Sequence, residues 1–232
     1  PRFEFKFVLE KKTGVEIINN FSHFMKLDKN VNDNGYYSIK SLYFDTPSYN
    51  DYFDVINGER VRKKIRLRRY NNNYEDVSFE IKHKDNKIIS KDRVKTNIKT
   101  ALLLTKKPWE FTKSEFEKIA FYFARDFITP NITTSYNRLP LVGILHDGVR
   151  VTLDFDFRAG KDDLFYREVK ISDTRVIPSH VAILEIKIDK FMPSWVQNIL
   201  KKYEMSSETY SKYTNSIERI IGNRIEIDEI ID

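Results

Sequence analysis

The sequence opens with Arg2-Phe3-Glu4-Phe5-Lys6-Phe7-Val8, a strict alternation of charged and aromatic residues. Side chains two apart on a strand point the same way, so this segment reads as a strand with one ionic face and one greasy face. The same split by parity recurs along the chain. The ionic face collects Arg2, Glu4 and Lys6; Arg66 and Arg68; Glu80, Lys82 and Lys84; Lys91, Arg93 and Lys95; Tyr136 and Arg138; Arg150, Asp154, Asp156 and Arg158; and Glu185, Lys187 and Asp189. The greasy face collects Phe3, Phe5 and Phe7; Ile65 and Leu67; Phe79 and Ile81; Val149, Val151, Leu153, Phe155 and Phe157; and Leu184, Ile186 and Ile188.

For one strand the ordinary meaning of this pattern is a sheet with its charged side in water. The helices change that reading. Val15, Ile18 and Phe21, then Phe116, Ile119 and Phe123, then Trp195, Val196 and Ile199 form apolar stripes that need an apolar surface to cover, and only the greasy face of the strands offers one. A strongly curved sheet would then put helices on its convex side and line its concave side with ions.

The spacing predicts a helix from the Thr13-Gly14-Val15-Glu16 capping box to about Leu27, a strand over Tyr37 to Asp45, and a short helical turn from Thr46 to near Gly58. Strands follow at Arg62 to Tyr70, Val77 to Lys84 and Ile88 to Asn97. A second capping box, Thr112 to Glu115, predicts the next helix. Strands resume at Ile132 to Leu139, Val149 to Arg158 and Val181 to Asp189, before helices opened by Pro193 and spanning Ser207 to Ile221. The expected class is α+β, an antiparallel β-barrel tunnel with helices packed on the outside. Residues 1–222 read as its domain and 223–232 as an acidic tail.

Composition bounds the rest. With 232 residues, 41% of them hydrophobic, and no run near the ~20 apolar residues of a membrane span, the chain reads as globular, with no membrane contact of its own. The absence of Cys removes thiolate metal sites and Cys nucleophiles and fits a cytoplasmic setting. Because the sequence opens at Pro1 with no Met, it reads as a piece of a longer chain whose flanking segments could hold a membrane or regulatory domain. The net charge of +6 is mild, so only its placement can inform. An unpaired ion held away from water costs several kcal/mol, against a whole-domain stability of ~5–15 kcal/mol. A tunnel lined by ions must therefore be wet and filled by opposite charge. Its cations outnumber its acids, so the expected guest is a polyanion, and the carboxylates make sense as ligands of a divalent metal. Phosphate chains with Mg²⁺ or Mn²⁺ fit.

Eight segments occur in an order that resembles the catalytic domain of the vacuolar transporter chaperone (VTC) family, a branch of the triphosphate tunnel metalloenzymes. They are Arg2 to Phe7, Leu42-Tyr43-Phe44-Asp45-Thr46-Pro47, Ile65 to Arg68, Phe79 to Lys82, Ser135 to Arg138, Leu153 to Asp156, Leu184 to Lys187 and Tyr210 to Tyr213. The resemblance implies a tunnel barrel and polyphosphate polymerase activity, in which the γ-phosphoryl of ATP passes to a growing polyphosphate chain with a divalent metal, usually Mn²⁺. It implies that Lys6, Arg66, Arg68, Lys82 and Arg138 bind phosphate and that Glu185 binds the metal. Arg2, Tyr136, Lys187, Ser211 and Lys212 are further phosphate candidates, as are Lys91 and Arg93; register alone does not choose among Lys91, Arg93 and Lys95. Glu4, Glu80 and Asp154 are additional metal candidates. Hydrolytic relatives typically begin Glu-x-Glu-x-Lys, and here Arg2 stands at the first Glu. One lost carboxylate and one added guanidinium favour transfer to phosphate over hydrolysis.

Two other readings remain open: a triphosphatase acting on tripolyphosphate or a nucleoside triphosphate, and a polyphosphate-binding module without turnover. Asp154 and Asp156 could pair with Arg150 and Arg158, and Tyr43, Phe44 and Trp195 read as core. His23, His83, His146 and His180 lack metal-ligand spacing. A third reading, an RNA-binding domain, is disfavoured because the ionic face lacks interleaved exposed aromatics for base stacking, and no DNA partner is expected.

Overall fold

The computed structural model describes residues 2–86, 88–144, 148–161, 165–166, 174–207 and 210–220. His146 and the 223–232 tail lie outside the described residues, and so does the side chain of Arg2. In chain order the elements are β1 (Arg2–Glu10), α1 (Lys11–Phe21), β2 (Met25–Leu27), β3 (Tyr37–Asp45), α2 (Asn50–Ile56), β4 (Val61–Tyr70), β5 (Val77–Asp85) and β6 (Ile88–Thr96). Then come α3 (Ile98–Lys106), α4 (Glu117–Asp126), β7 (Thr129–Gly143), β8 (Val149–Lys161), β9 (Thr174–Arg175), β10 (Val181–Asp189) and α5 (Ser194–Lys202). A last helix, α6, covers 212–220. The class is α+β. The pairs β1/β10, β10/β8, β2/β7, β3/β4, β4/β5 and β5/β6 are all antiparallel. Among the described residues no helix is long and apolar enough to cross a membrane.

The chain forms two compact units, each with its own core. The first comprises 1–38, 135–158 and 175–211, and its strands run in the order β1, β10, β8 and the second half of β7. Phe7, Val151, Leu153, Leu184 and Ile186 on those strands pack against Ile17, Ile18 and Phe21 of α1 and Val196 of α5. The second comprises the described residues of 39–134, 159–174 and 212–220, with the first half of β7 followed by β3, β4, β5 and β6. There Leu42, Phe44, Ile65, Leu67, Phe79 and Ile81 meet Ala101 and Leu104 of α3 and Ile119 and Phe123 of α4. In each unit the helices cover the greasy face that parity identified. Burying one such side chain is worth about 1.5–3 kcal/mol, and a slip of one residue would expose the whole set, so the register is pinned.

Several boundaries differ from the sequence reading. Helix α1 starts at Lys11, with Glu10 at its N-cap and no side-chain cap, so the Thr13 to Glu16 box lies inside the helix. Gly14 is there for close approach: a Cβ would sit 2.6 Å from Leu153 Cδ1. The helix ends at Phe21, and Met25–Leu27 pairs as a strand with β7. Within it Met25 is buried in the first unit's core, while Lys26 and Leu27 are exposed. The box at Thr112 also fails. The hydroxyls of Thr112 and Ser114 donate to Trp109 O and Phe111 O, closing the preceding turn, and α4 begins only at Glu117. Helix α3 was not anticipated; Asn97 caps it through Thr100 N at 2.9 Å. Strand β7 is longer than expected, and α6 starts five residues after Ser207, at 212.

Strand β8 breaks its own alternation. Asp156 has a left-handed backbone (φ 53°), the signature of a bulge. Beyond it Phe157, not Asp156, lies with Tyr136 and Tyr210, at ring separations of 6.0 and 6.3 Å. Asp156 instead accepts from Arg158 at 3.2 Å and Arg175 at 2.7 Å. Asp156 and Arg158 therefore leave the ionic face to which parity assigned them. Asp154 pairs with Arg138, and Arg150 reaches Asp28 (3.3 Å) and the Tyr37 hydroxyl (3.2 Å).

In the second unit two cations sit on the helix-covered side of β4. Arg69, fully buried, lies over Tyr74 and Phe165. Lys63 donates to Asp51 at 2.7 Å, and its ammonium is 3.4 Å from Asp126. Burial pushes the Asp51 carboxyl up to about 6, against the pull of Lys63. A carboxyl that titrates higher folded than unfolded lends stability that is full below its unfolded value and lost as pH rises through its folded one. Asp51→Asn should therefore gain on the wild type between pH 4 and 7, by at most about 3 kcal/mol. Thermal melts of both proteins across that range check it; a constant difference would refute it.

Candidate phosphate site

The second unit carries a basic face on β4, β5 and β6, opposite the helices. Register sets the side chains in rows across the three strands: Lys64, Lys82, Lys91; then Arg66, Glu80, Arg93; then Arg68, Ser78, Lys95. Cations thus outnumber carboxylates in these rows. Glu80 is the one carboxylate in these rows and is 2% exposed. Arg66 donates to its Oε2 through Nε (2.8 Å) and Nη2 (2.5 Å), and Arg68 Nη1 is 3.8 Å away. Lys91 Nζ and Arg93 Nε approach Oε1 at 3.2 and 3.8 Å. Burial pushes the Glu80 carboxyl up, but Arg66, Arg68 and Lys91 outweigh it and hold it well below the usual carboxylate range. Burial and the neighbouring guanidinium groups, opposed by Glu80, lower the Lys91 ammonium.

Two hydroxyls that sequence reading passed over aim these cations. Arg68 lies between Ser41 on β3 and Ser78 on β5. Its Nε donates to Ser41 Oγ at 3.4 Å, while Arg93 donates to Ser78 Oγ from Nε (3.1 Å) and Nη2 (3.0 Å). Both serines are buried, and small residues flanking Arg68 leave room for its guanidinium. The signal was available only through strand register. The structure also separates the three cations of β6: Lys91 and Arg93 meet Glu80, whereas Lys95 turns toward Asp76 at 3.6 Å. Lys212 opens α6, and its charge reaches the Tyr43 phenol.

The first unit gathers Glu4, Lys6, Tyr136, Arg138, Asp154, Glu185 and Lys187 on one face of β1, β10, β8 and β7. Lys6 pairs with Glu185 and Glu4 with Lys187 across the β1/β10 ladder. Lys6 Nζ donates to Tyr210 O at 3.1 Å and lies 3.1 Å from Glu4. Arg138 forks onto Asp154 through Nε (2.6 Å) and Nη2 (2.7 Å), with Glu185 3.8 Å away. Burial opposes the Arg138 charge, but Asp154, Tyr136 and Glu185 hold the guanidinium firmly protonated. Its guanidinium also lies over the Tyr136 ring, 5.5 Å from the centroid. Ser211 is half-buried in the segment before α6.

The metal candidates separate by environment. Glu80 is surrounded by four cations, and Asp154 is fully buried under Arg138, so neither presents a free oxygen pair to a metal. Glu4 and Glu185 share one ammonium, that of Lys187, which is 4.0 Å from Glu4 and in direct contact with Glu185. A cation already bridges these two carboxylates. Mg²⁺ and Mn²⁺ bind through one or two carboxylates together with substrate phosphates and water, so the donor set fits such an ion displacing Lys187. Among the described residues no group of three acidic or His side chains is preassembled for a metal.

No curated protein matches the chain. Among solved structures, PH1819 protein from Pyrococcus horikoshii OT3 aligns at 13% identity and a TM-score of 0.44, covering 93% of this chain and 99% of that one. The inorganic triphosphatase NE1496 aligns at 13% identity and a TM-score of 0.30, covering 84% and 83%. Similarity at those scores says nothing about activity here. The sequence itself matches the VTC domain family over residues 1–221, nearly its whole length, and the chain belongs to that family.

Proposed function

We propose that this chain is a metal-dependent polyphosphate polymerase that transfers the γ-phosphoryl of ATP to a polyphosphate chain. The observation that carries the reading is the basic face of β4 to β6, where four cations drawn from three rows converge on one buried carboxylate. Such a face is complementary to a run of phosphates. Phosphoryl transfer asks for positioning and neutralisation of charge on the transferred group, and bidentate guanidinium groups do both. Arg66, Arg68, Arg93 and Arg138 hold phosphate oxygens, and Lys6, Lys82, Lys91 and Lys212 act as point charges. A terminal phosphate is already ionised, so no general base is needed to activate it. Glu4 and Glu185 would hold the divalent ion, which when bound supplies Lewis-acid neutralisation of adjacent phosphates. Tyr136 fixes the plane of Arg138, while Arg2, Lys187 and Ser211 add phosphate contacts. ATP as donor fits a reaction in the cytoplasm or on the cytosolic face of a membrane complex.

Arg2 in place of the first Glu of the hydrolytic pattern supports transfer over hydrolysis. Incubation with ATP and Mn²⁺ decides between them: chains longer than the starting phosphate are expected, and orthophosphate as the sole product would establish a triphosphatase instead. Arg68→Ala should lower turnover by about 100-fold, the usual scale for losing one donor to transition-state charge. Tripolyphosphate binding with no turnover of any kind would mark a module without catalysis.

A further inference from the structure

Tyr43 reads from sequence as a core aromatic, and its ring is indeed buried, 5% exposed. Its hydroxyl is placed quite differently. Tyr43 sits directly opposite Arg66 in the β3/β4 ladder, and its oxygen accepts a hydrogen bond from Arg66 Nη1 at 3.3 Å. That leaves the phenolic O–H as a donor with no acceptor among the described residues, in a pocket of charge set by Arg66, Arg68 and Lys212. A buried donor without an acceptor is costly, and an O–H held against the Arg66 guanidinium in a field of positive charge is suited to meet an anion.

The ring cannot easily turn away. It stacks on Tyr213 at 5.1 Å and 28°, and the Tyr213 hydroxyl donates to Asp45 Oδ2 at 2.6 Å. Asp45 is itself fixed, because it accepts the backbone N–H groups of Thr46 (2.7 Å), Asp51 (2.9 Å) and Tyr52 (3.1 Å). Tyr213 directly follows Lys212, the first residue of α6. Burial favours a neutral Tyr43, yet Arg66, Arg68 and Lys212 together lower its phenol below the ordinary value. Asp45 and Tyr213 both belong to segments already singled out, but neither had a function.

We infer that the Tyr43 hydroxyl donates a hydrogen bond to a non-bridging oxygen of the bound phosphate chain, with Tyr213 and Asp45 as the positioning residues that aim it. The inference rests on the phosphate reading of the basic face and adds a binding residue to it. The neutral donor complements the surrounding point charges by giving direction: it selects an oxygen lying in line with its O–H, where an ammonium would accept any nearby anion.

Calorimetric titration with inorganic tripolyphosphate tests this on the wild type, Tyr43→Phe, Tyr213→Phe and Arg66→Ala. Tyr43→Phe keeps the ring stack and is expected to weaken binding about ten-fold with an unchanged melting temperature. Tyr213→Phe, which frees the ring, should weaken it about three-fold and lower the melting temperature, since Asp45 loses a donor. With ATP and Mn²⁺, Tyr43→Phe should raise KM more than it lowers kcat. If Arg66→Ala weakens tripolyphosphate while Tyr43→Phe and Tyr213→Phe bind like the wild type, the hydroxyl is idle and the inference is wrong, although the phosphate reading stands. A wild type that fails to bind tripolyphosphate overturns both. Should Tyr43→Phe not fold, Tyr213→Phe alone decides, because an unchanged affinity there refutes the aiming role.

Discussion

Glu80→Gln is expected to destabilise the free protein by about 3 kcal/mol and to lower its melting temperature by roughly 6–12 °C. The carboxylate is the one anion in the β4 to β6 rows, and Arg66, Arg68, Lys91 and Arg93 all converge on it. An amide fills the same volume but leaves those cations facing one another. The figure sits at the low end for removing one member of a buried ion pair because Lys91 and Arg93 are partly solvated. The carboxyl is depressed in the fold, so its stabilisation is present above the ordinary Glu value and is lost only as pH falls through the lowered one. The melting deficit of Glu80→Gln should therefore persist from pH 5 upward. Tripolyphosphate should restore most of it, since an anion that binds only the folded state stabilises by mass action and meets one less competing carboxylate here. A variant that melts with the wild type, or that tripolyphosphate does not rescue, would show that Glu80 does not organise the basic face.

The same residue illustrates what could be read in the sequence. Alternation with period two identified both faces of β1, β4, β5 and β10, because a strand's geometry leaves no other solution and the helices had only one surface to cover. That logic stops where the backbone departs from regular pleating. At Asp156 a left-handed residue swaps the faces, and Phe157 arrives where an acid was expected. It stops also where a residue's partner is set by register. Glu80 looked like a metal ligand until the rows placed four cations around it, and Ser41 and Ser78 were invisible as aiming groups until Arg68 fell between them. Hydroxyls misled in a third way. Thr112 and Glu115 match a capping box, but Thr112 closes the preceding turn by donating to Trp109 O, and the hydroxyl that accepts a backbone N–H just before α4 is that of Ser114, from Phe116 at 3.2 Å. Lys63 and Arg69 break the binary pattern of β4, and only tertiary partners, Asp51 and the rings of Tyr74 and Phe165, explain them.

Glu185→Gln is expected to cost about 100- to 1,000-fold in turnover while tripolyphosphate binding is retained or tightened. Glu185 is almost fully buried, touches Lys187, and lies 3.8 Å from Arg138. Removing its charge loosens Lys187 and takes one anion from beside Arg138, which stays forked onto Asp154, so affinity for the anion should not fall. What disappears is one of two carboxylates bridged by a single ammonium, and with it the donor pair suited to a divalent ion. Glu4→Gln should weaken Mn²⁺ less, because Glu4 is more exposed and its contact with Lys187 is longer, at 4.0 Å. Mn²⁺ affinity can be read without any turnover, from the loss of the free-ion paramagnetic signal on titrating the protein in the absence of ATP. Weaker Mn²⁺ binding in Glu185→Gln with intact tripolyphosphate binding separates metal holding from phosphate holding. If Mn²⁺ affinity is unchanged while turnover collapses, Glu185 acts through Arg138 and Lys187 instead, and the ion belongs to other carboxylates.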